Sequence, residues 1–184
     1  MSAPVVKTVA FAALTREQMA AITELINRVW PSPTPLAEQV DARMRDARLP
    51  DTAQSAQKQA HLIQPQGRVQ AVATTFVRVI ADASGRRFPI LALGGVCSDP
   101  ACRGQGLGQA VVSAGFARVS QAVPVSLFQT DVPDFYVKLG GRVIDNPVIN
   151  SVSDAKPQWS SHLMLYPANA NWPTGTVDLL GAGW

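Results

Sequence analysis

The spacing of apolar residues predicts a run of short elements. "KTVAFA", Lys7 to Ala12, has the composition of a first strand. Thr15 to Gln18 fits a capping box, after which Met19, Ile22, Leu25, Ile26 and Val29 fall on one helical face. "WPSPTP", Trp30 to Pro35, ends that helix, because proline cannot continue it. Thr34-Pro35 restarts a second helix with Leu36, Val40 and Met44 inward, and Leu49 to Gln59 is polar enough for a loop. Three strand-like runs follow, "AHLIQPQ" from Ala60, "VQAVATTFVRVIAD" from Val69 and "FPILALGGVCS" from Phe88. Turn signals at Gln66-Gly67 and Ser84-Gly85 divide them, and connections this short predict an antiparallel meander.

From Gly106 to Val119 the period returns to that of a helix, with Leu107, Ala110, Val111 and Ala114 on one face. "VPVSLFQ", Val123 to Gln129, is the next strand. Pro133 to Leu139 is a short helix stopped by Gly140-Gly141, and "RVIDNPVI" and "SSHLMLYP" are the last strands. There is no repeat and no linker. The chain of 184 residues reads as one mixed α/β domain spanning 1–184.

Charged residues are 16% and apolar residues 47% of the chain, a balance that fits a well-buried sheet. Two readings of the low charge stay open, an apolar surface used to form a homodimer and a sparsely charged monomer. The net charge of +3 comes from scattered residues with no basic stripe, so nucleic acid is not expected as a partner. One local bias changes the picture: between Arg86 and Thr130 the only acidic residue is Asp99, as suits a segment that meets a polyanion. Two cysteines, Cys97 and Cys102, and two distant histidines make no metal site. The opening "MSAPVVKTVAFAAL" lacks a basic region before a long apolar stretch, and no apolar run reaches the roughly 18 residues of a membrane span. A cytoplasmic protein is the expectation.

The chemistry concentrates in "VCSDPACRGQGLGQAVV", Val96 to Val112, which reads strand, glycine turn, helix. Such an order leaves unpaired N–H groups at the positive end of a helix dipole, where phosphate binds, and glycine lets the ligand approach the backbone. The dinucleotide fingerprint G-x-G-x-x-G/A fails, with Gln109 or Val111 at its last position and no acid between Asp99 and Asp131. The nucleotide loop ending G-K-[ST] fails because Gln109 follows Gly108.

What remains is [QR]-x-x-G-x-[GA], met by Arg103, Gly106 and Gly108 after Asp99-Pro100. It resembles the coenzyme A pyrophosphate loop of the GNAT N-acetyltransferases. "DFYVKLGG", Asp134 to Gly141, resembles that family's tyrosine helix, and the order of elements agrees over nearly the whole chain. The ending "NWPTGTVDLLGAGW" with "SLFQTDVPDFYVKLGG" is similar to a subgroup that includes the aminoglycoside 2′-N-acetyltransferases.

The resemblance implies a mostly antiparallel sheet flanked by helices and splayed between its fourth and fifth strands. It implies acetyl-CoA as cosubstrate and a small-molecule amine as acceptor, without a metal. Val96, Cys97 and Ser98 would bond the pantetheine arm like an added strand. Backbone amides of Arg103, Gly104, Gln105, Gly106, Leu107, Gly108 and Gln109 would hold the pyrophosphate. A fourth-strand N–H would polarise the carbonyl while a primary amine attacks directly. Tyr136 would protonate the departing thiolate, a transfer suited to a phenol.

The base is less defined. The fourth strand, Ile90 to Gly95, has no carboxylate where related enzymes often carry one. Asp131 is the first substitute and His162 the second, each set against a structural role. The subgroup likeness would fold the tail over the cleft, with the Trp184 carboxylate available to a cationic amine. Trp30, Trp159 and Trp172 could line that cleft or pack in the core. An acyl-accepting role for Cys97 or Cys102 finds no histidine near either in sequence. Two rivals stay open. A CoA-binding sensor would explain the missing acid but not the retained Tyr136. Aminoglycoside modification would need an acidic cleft, hard to build from 13 acidic residues of which three are glutamates.

Overall fold

The computed structural model describes residues 4–53, 55–154, 156 and 162–181. Nine strands among them join one sheet, in the order β1-β2-β3-β4-β5-β8-β6, with β9 beside β3 and β7. In chain order these are β1 Lys7–Ala10, β2 Ala56–Ile63, β3 Ala71–Ala81, β4 Arg87–Ser98, β5 Ser126–Thr130, β6 Arg142–Ile144, β7 Val148–Ile149, β8 His162–Tyr166 and β9 Val177–Asp178. The helices are α1 Arg16–Val29, α2 Leu36–Ala47, α3 Leu107–Phe116 and α4 Pro133–Val137. Short links make β2, β3 and β4 an antiparallel meander. β4 pairs with β5 in parallel, through Leu91↔Ser126 and Ala92↔Leu127, and the ladder ends there. β5 goes on to Thr130, paired on its other side with β8 in antiparallel register. The result is a mixed α/β fold with a mostly antiparallel sheet.

The chain divides into two compact units that share β3 and β4. The first comprises Met1–Pro50, Gln57–Thr75 and Gly95–Gly115. Its helix α1 begins at the expected capping box: Thr15 Oγ1 accepts from the Gln18 amide at 3.1 Å, and the Gln18 side chain accepts from Thr15 N–H at 3.0 Å. Met19, Ile22 and Leu25 then bury against Phe11, Val40, Leu62 and Cys97. Leu36, expected inward, is exposed, because it occupies the first helical position ahead of the turn that reaches the core. β1 stops at Ala10 and yields to a 3₁₀ turn at Phe11–Ala13 that points Phe11 into this core. β2 starts at Ala56, inside the segment expected to be loop, drawn into extension by neighbouring strands.

The second unit comprises Asp51–Ala56, Phe76–Gly94 and Phe116–Trp184. Ile80, Ile90, Leu127, Leu163, Leu165 and Leu179 form its core. The expected strand "RVIDNPVI" is two strands, because Asn146-Pro147 interrupts it. The Asn146 side chain donates to the carbonyls of Pro173 at 3.0 Å and Gly175 at 2.6 Å, and accepts from Trp172 Nε1 at 3.0 Å. These bonds hold the tail where β9 pairs in parallel with β7 and antiparallel with β3. Ser160, Ser161, Trp159 and Trp184 lie outside the described residues. Among those described, no helix is long and apolar enough to cross a membrane.

Candidate functional site

β4 leaves its regular course at Gly95, whose φ is +59°. Val96 and Ser98 are then half-buried and Cys97 is buried. Asp99 follows and caps a 3₁₀ turn over Pro100–Cys102 by accepting from the Ala101 amide at 3.0 Å. Its N–H donates to the Gln70 carbonyl at 2.7 Å, and its carbonyl accepts from Cys102 N–H at 2.9 Å. Its carboxylate, 2% exposed, meets Arg68 at 2.6 Å and Arg28 at 3.3 Å. The Ala101 amide and then the Arg68 guanidinium hold that carboxyl below its ordinary pKa. So the lone acid of the basic segment is neutralised in place, and it pins the start of the glycine turn to α1 and to the β2–β3 connection.

The turn itself is exposed backbone. Arg103, Gly104, Gln105 and Gly106 are all exposed, with φ of +78° at Gly104 and +74° at Gly106. A side chain at either position would meet nothing within 4 Å, so glycine is required there by backbone conformation and not by crowding. Ala110 N–H bonds to the Gly106 carbonyl at 3.0 Å, so α3 starts immediately after the turn. The amides of Leu107, Gly108 and Gln109 form its first turn, where an α-helix offers donors without intrahelical partners, and no acid sits there. Leu107 is buried and anchors the helix, while Gln109 is exposed. The predicted cofactor residues thus form one continuous segment of the first unit.

The three predicted catalytic residues gather in the second unit, at the end of β5. Thr130 pairs with His162 across β5 and β8, which sets both side chains on one face with Cβ atoms about 5 Å apart. Asp131 follows Thr130 directly and is exposed. Tyr136, on α4, is 6% exposed, and its hydroxyl is hydrogen-bonded to the Thr130 side chain. Its ring lies 4.6 Å from that of Phe128 and 4.9 Å from that of Phe135, centroid to centroid. Burial pushes its phenol up to about 12, partly offset by the Thr130 bond, so it carries its proton at neutral pH.

Burial pushes the Cys97 thiol up to about 12, so it is held as the protonated thiol at neutral pH. Trp172 packs edge-on against Phe88, with centroids 5.8 Å apart, and Trp30 is exposed. Open cavities of about 300 Å³ in the second unit flank Trp172, one beside Arg87 and Phe88 and the other beside Arg142 and Asn146. Among the described residues no group of three His, Cys, Asp or Glu side chains could hold a metal ion. Two contributors escaped the sequence reading, Asp99 as a pin and Thr130 as the partner of Tyr136. The isolation of Asp99 in a basic stretch was the signal for the first. For the second there was none, because it depends on how α4 folds back on β5.

Neither a family model nor a curated protein matches the chain by sequence. Solved structures do match by shape. One is a GNAT-family N-acetyltransferase of Escherichia coli in complex with CoA, with TM-score 0.62, 18% identity, and 95% of this chain and 88% of that chain covered. The fold is that of the GNAT N-acetyltransferases. Other GNAT-fold neighbours are a glucosamine-6-phosphate N-acetyltransferase of Arabidopsis thaliana and a probable N-acyltransferase of Enterococcus faecalis. The first has TM-score 0.55 and 17% identity, covering 81% of this chain and 97% of that one. The second has TM-score 0.57 and 20% identity, covering 77% of this chain and 33% of that one. The chain thus spans about a third of the Enterococcus protein. On the GNAT fold the expected order of strand, two helices, meander, glycine turn, helix, strand and tyrosine helix is the one observed.

Proposed function

We propose that the protein is an N-acetyltransferase that moves the acetyl group of acetyl-CoA to a primary amine of a small molecule. The observation that carries this reading is the strand-to-helix turn with Gly104 and Gly106 at positive φ, anchored by the buried Asp99. Exposed amides with a helix dipole behind them and no acid in the first turn suit a pyrophosphate. The backbone of Val96 to Ser98 would bond the pantetheine arm, and the amides from Arg103 to Gln109 would bind the diphosphate.

The chemistry needs little more than alignment and proton management. The amine nitrogen attacks the thioester carbonyl, whose oxygen is stabilised by a β4 N–H. The tetrahedral intermediate collapses with cleavage of the carbon–sulfur bond, and sulfur leaves with the electron pair. Tyr136, which carries its proton at neutral pH, is the acid for that thiolate. Asp131 and His162 are the candidate bases for the proton that the amine must lose. The test is release of the free CoA thiol from acetyl-CoA on addition of each member of a panel of primary amines, aminoglycosides included. Amine-dependent release supports the reading, and release no faster than hydrolysis across the panel counts against it.

A further inference from the structure

We propose that Thr130 is a positioning residue that aims the proton of Tyr136, an inference that rests on the reading of Tyr136 as the acid. Phe128 and Phe135 bracket the tyrosine ring at 4.6 Å and 4.9 Å, with interplanar angles of 52° and 87°. These contacts fix the ring and leave the hydroxyl free to turn about its C–O bond, so something polar must set where the hydrogen points.

Proton bookkeeping at Thr130 does that. A threonine hydroxyl has one hydrogen to donate and two lone pairs to accept with. Here the backbone N–H of Val132, which can only donate, occupies one lone pair at 3.1 Å. Thr130 is 5% exposed, so its own hydrogen must be used within the protein. The Tyr136 oxygen is its hydrogen-bond partner. With Thr130 donating, the Tyr136 oxygen accepts on its β5 side, and the phenol hydrogen is turned away from Thr130. The reverse arrangement would spend the phenol hydrogen on Thr130 and leave the threonine hydrogen to find another buried acceptor.

The consequence for transfer is direct. As the carbon–sulfur bond breaks, sulfur takes the electron pair and then the phenol proton. The tyrosinate left behind keeps the hydrogen bond from Thr130 until it takes up a proton from water. The ionisable groups on the strands packed against α4 are Arg142 on β6 and His162 and Tyr166 on β8, with Asp134 on α4 itself, Lys138 at its C-cap and Asp131 after β5. None of these is needed for the hydrogen bond from Thr130.

The experiment compares the unsubstituted protein with Thr130→Val, which removes the hydroxyl and keeps the shape, and with Thr130→Ser, which keeps both hydrogen bonds. The protein has two tyrosines, so 3-fluorotyrosine incorporation gives two ¹⁹F resonances, assigned with Tyr136→Phe. The fluorinated phenol is more acidic, so it titrates at lower pH than tyrosine itself. Thr130→Val is expected to raise the Tyr136 midpoint by roughly half a pH unit or more and Thr130→Ser to restore it. kcat is expected to fall about tenfold in Thr130→Val at unchanged KM for acetyl-CoA, and to recover in Thr130→Ser. An unmoved midpoint in Thr130→Val overturns the proposal. So does a raised midpoint with kcat unchanged. Acetyl-CoA binding by the unsubstituted protein is measured alongside. Its absence sinks the acetyltransferase reading, while the titration still decides whether Thr130 donates to Tyr136.

Discussion

The glycine turn of the first unit is exposed backbone, whereas the tyrosine neighbourhood of the second is buried side chains. At the turn, Gly104 and Gly106 sit at positive φ with open space around them. At the end of β5, Tyr136 is enclosed by two aromatic rings and a threonine hydroxyl. A backbone site declares itself in sequence through the residue type that its conformation demands. A side-chain site depends on neighbours that only the fold brings together. The two regions should therefore fail differently when altered, the first in ligand binding and the second in the chemical step.

The largest effect is expected at the turn. Gly106→Val forces a β-branched side chain into a left-handed conformation and places it in the open space beside the turn, where the proposed diphosphate would bind. Acetyl-CoA affinity should drop about a hundredfold or more by calorimetry, with little change in the core. Loss of fold in place of loss of binding would show that the turn has a structural duty instead.

Tyr136→Phe should do the opposite, lowering kcat about a hundredfold while acetyl-CoA affinity stays the same. The same variant has a signature in alkaline stability. Burial raises the phenol from its ordinary 10.0 to about 12, so the folded state holds the proton more tightly than the unfolded chain. The associated stability, about 2–3 kcal/mol, is fully present below pH 10 and is lost as pH rises towards 12. Denaturant melts at pH 8 and pH 11 should show that loss in the unsubstituted protein and a smaller one in Tyr136→Phe. The buried Cys97 thiol, raised from 9.0 to about 12, adds to the same alkaline limb, so Cys97→Ala is the control.

Asp99→Ala removes a turn cap and leaves Arg28 and Arg68 without their shared carboxylate. It should cost about 2 kcal/mol in urea melts and weaken acetyl-CoA binding, whereas Asp99→Asn should retain the cap and much of the stability. Full stability in Asp99→Ala would break the link between the pin and the turn. The smallest effect is chemical. Iodoacetamide at neutral pH should label the half-exposed Cys102 and spare Cys97, and mass spectrometry should show modified protein that still binds acetyl-CoA.

How much of this was legible follows from the same contrast. The glycine turn, the capping box of α1 and the meander could be read because each rests on neighbours in sequence: positive-φ glycines, a hydroxyl three residues before an amide, short links between strands. β9 could not, since a two-residue strand has no period and exists only because β3 and β7 lie beside it. The break at Asn146-Pro147 was visible as a Pro in a strand-like run, but its purpose lies in bonds to Pro173 and Gly175 far along the chain. Asp99 was seen as the lone acid of a basic stretch. That it is a buried pin depends on Arg28 and Arg68, which the fold supplies. The composition of the fourth strand showed no carboxylate, and the candidate bases lie instead just after β5 and on β8, Asp131 following Thr130 in the chain and His162 paired with it across the sheet.

The central claim is that the turn from Arg103 to Gln109 binds the diphosphate of acetyl-CoA. Calorimetric titration of the purified protein with acetyl-CoA, beside NADH and ATP, tests it most directly. Saturable binding of acetyl-CoA, with neither NADH nor ATP matching it, is the predicted result. No heat of binding with acetyl-CoA, or equal binding of all three, would contradict it.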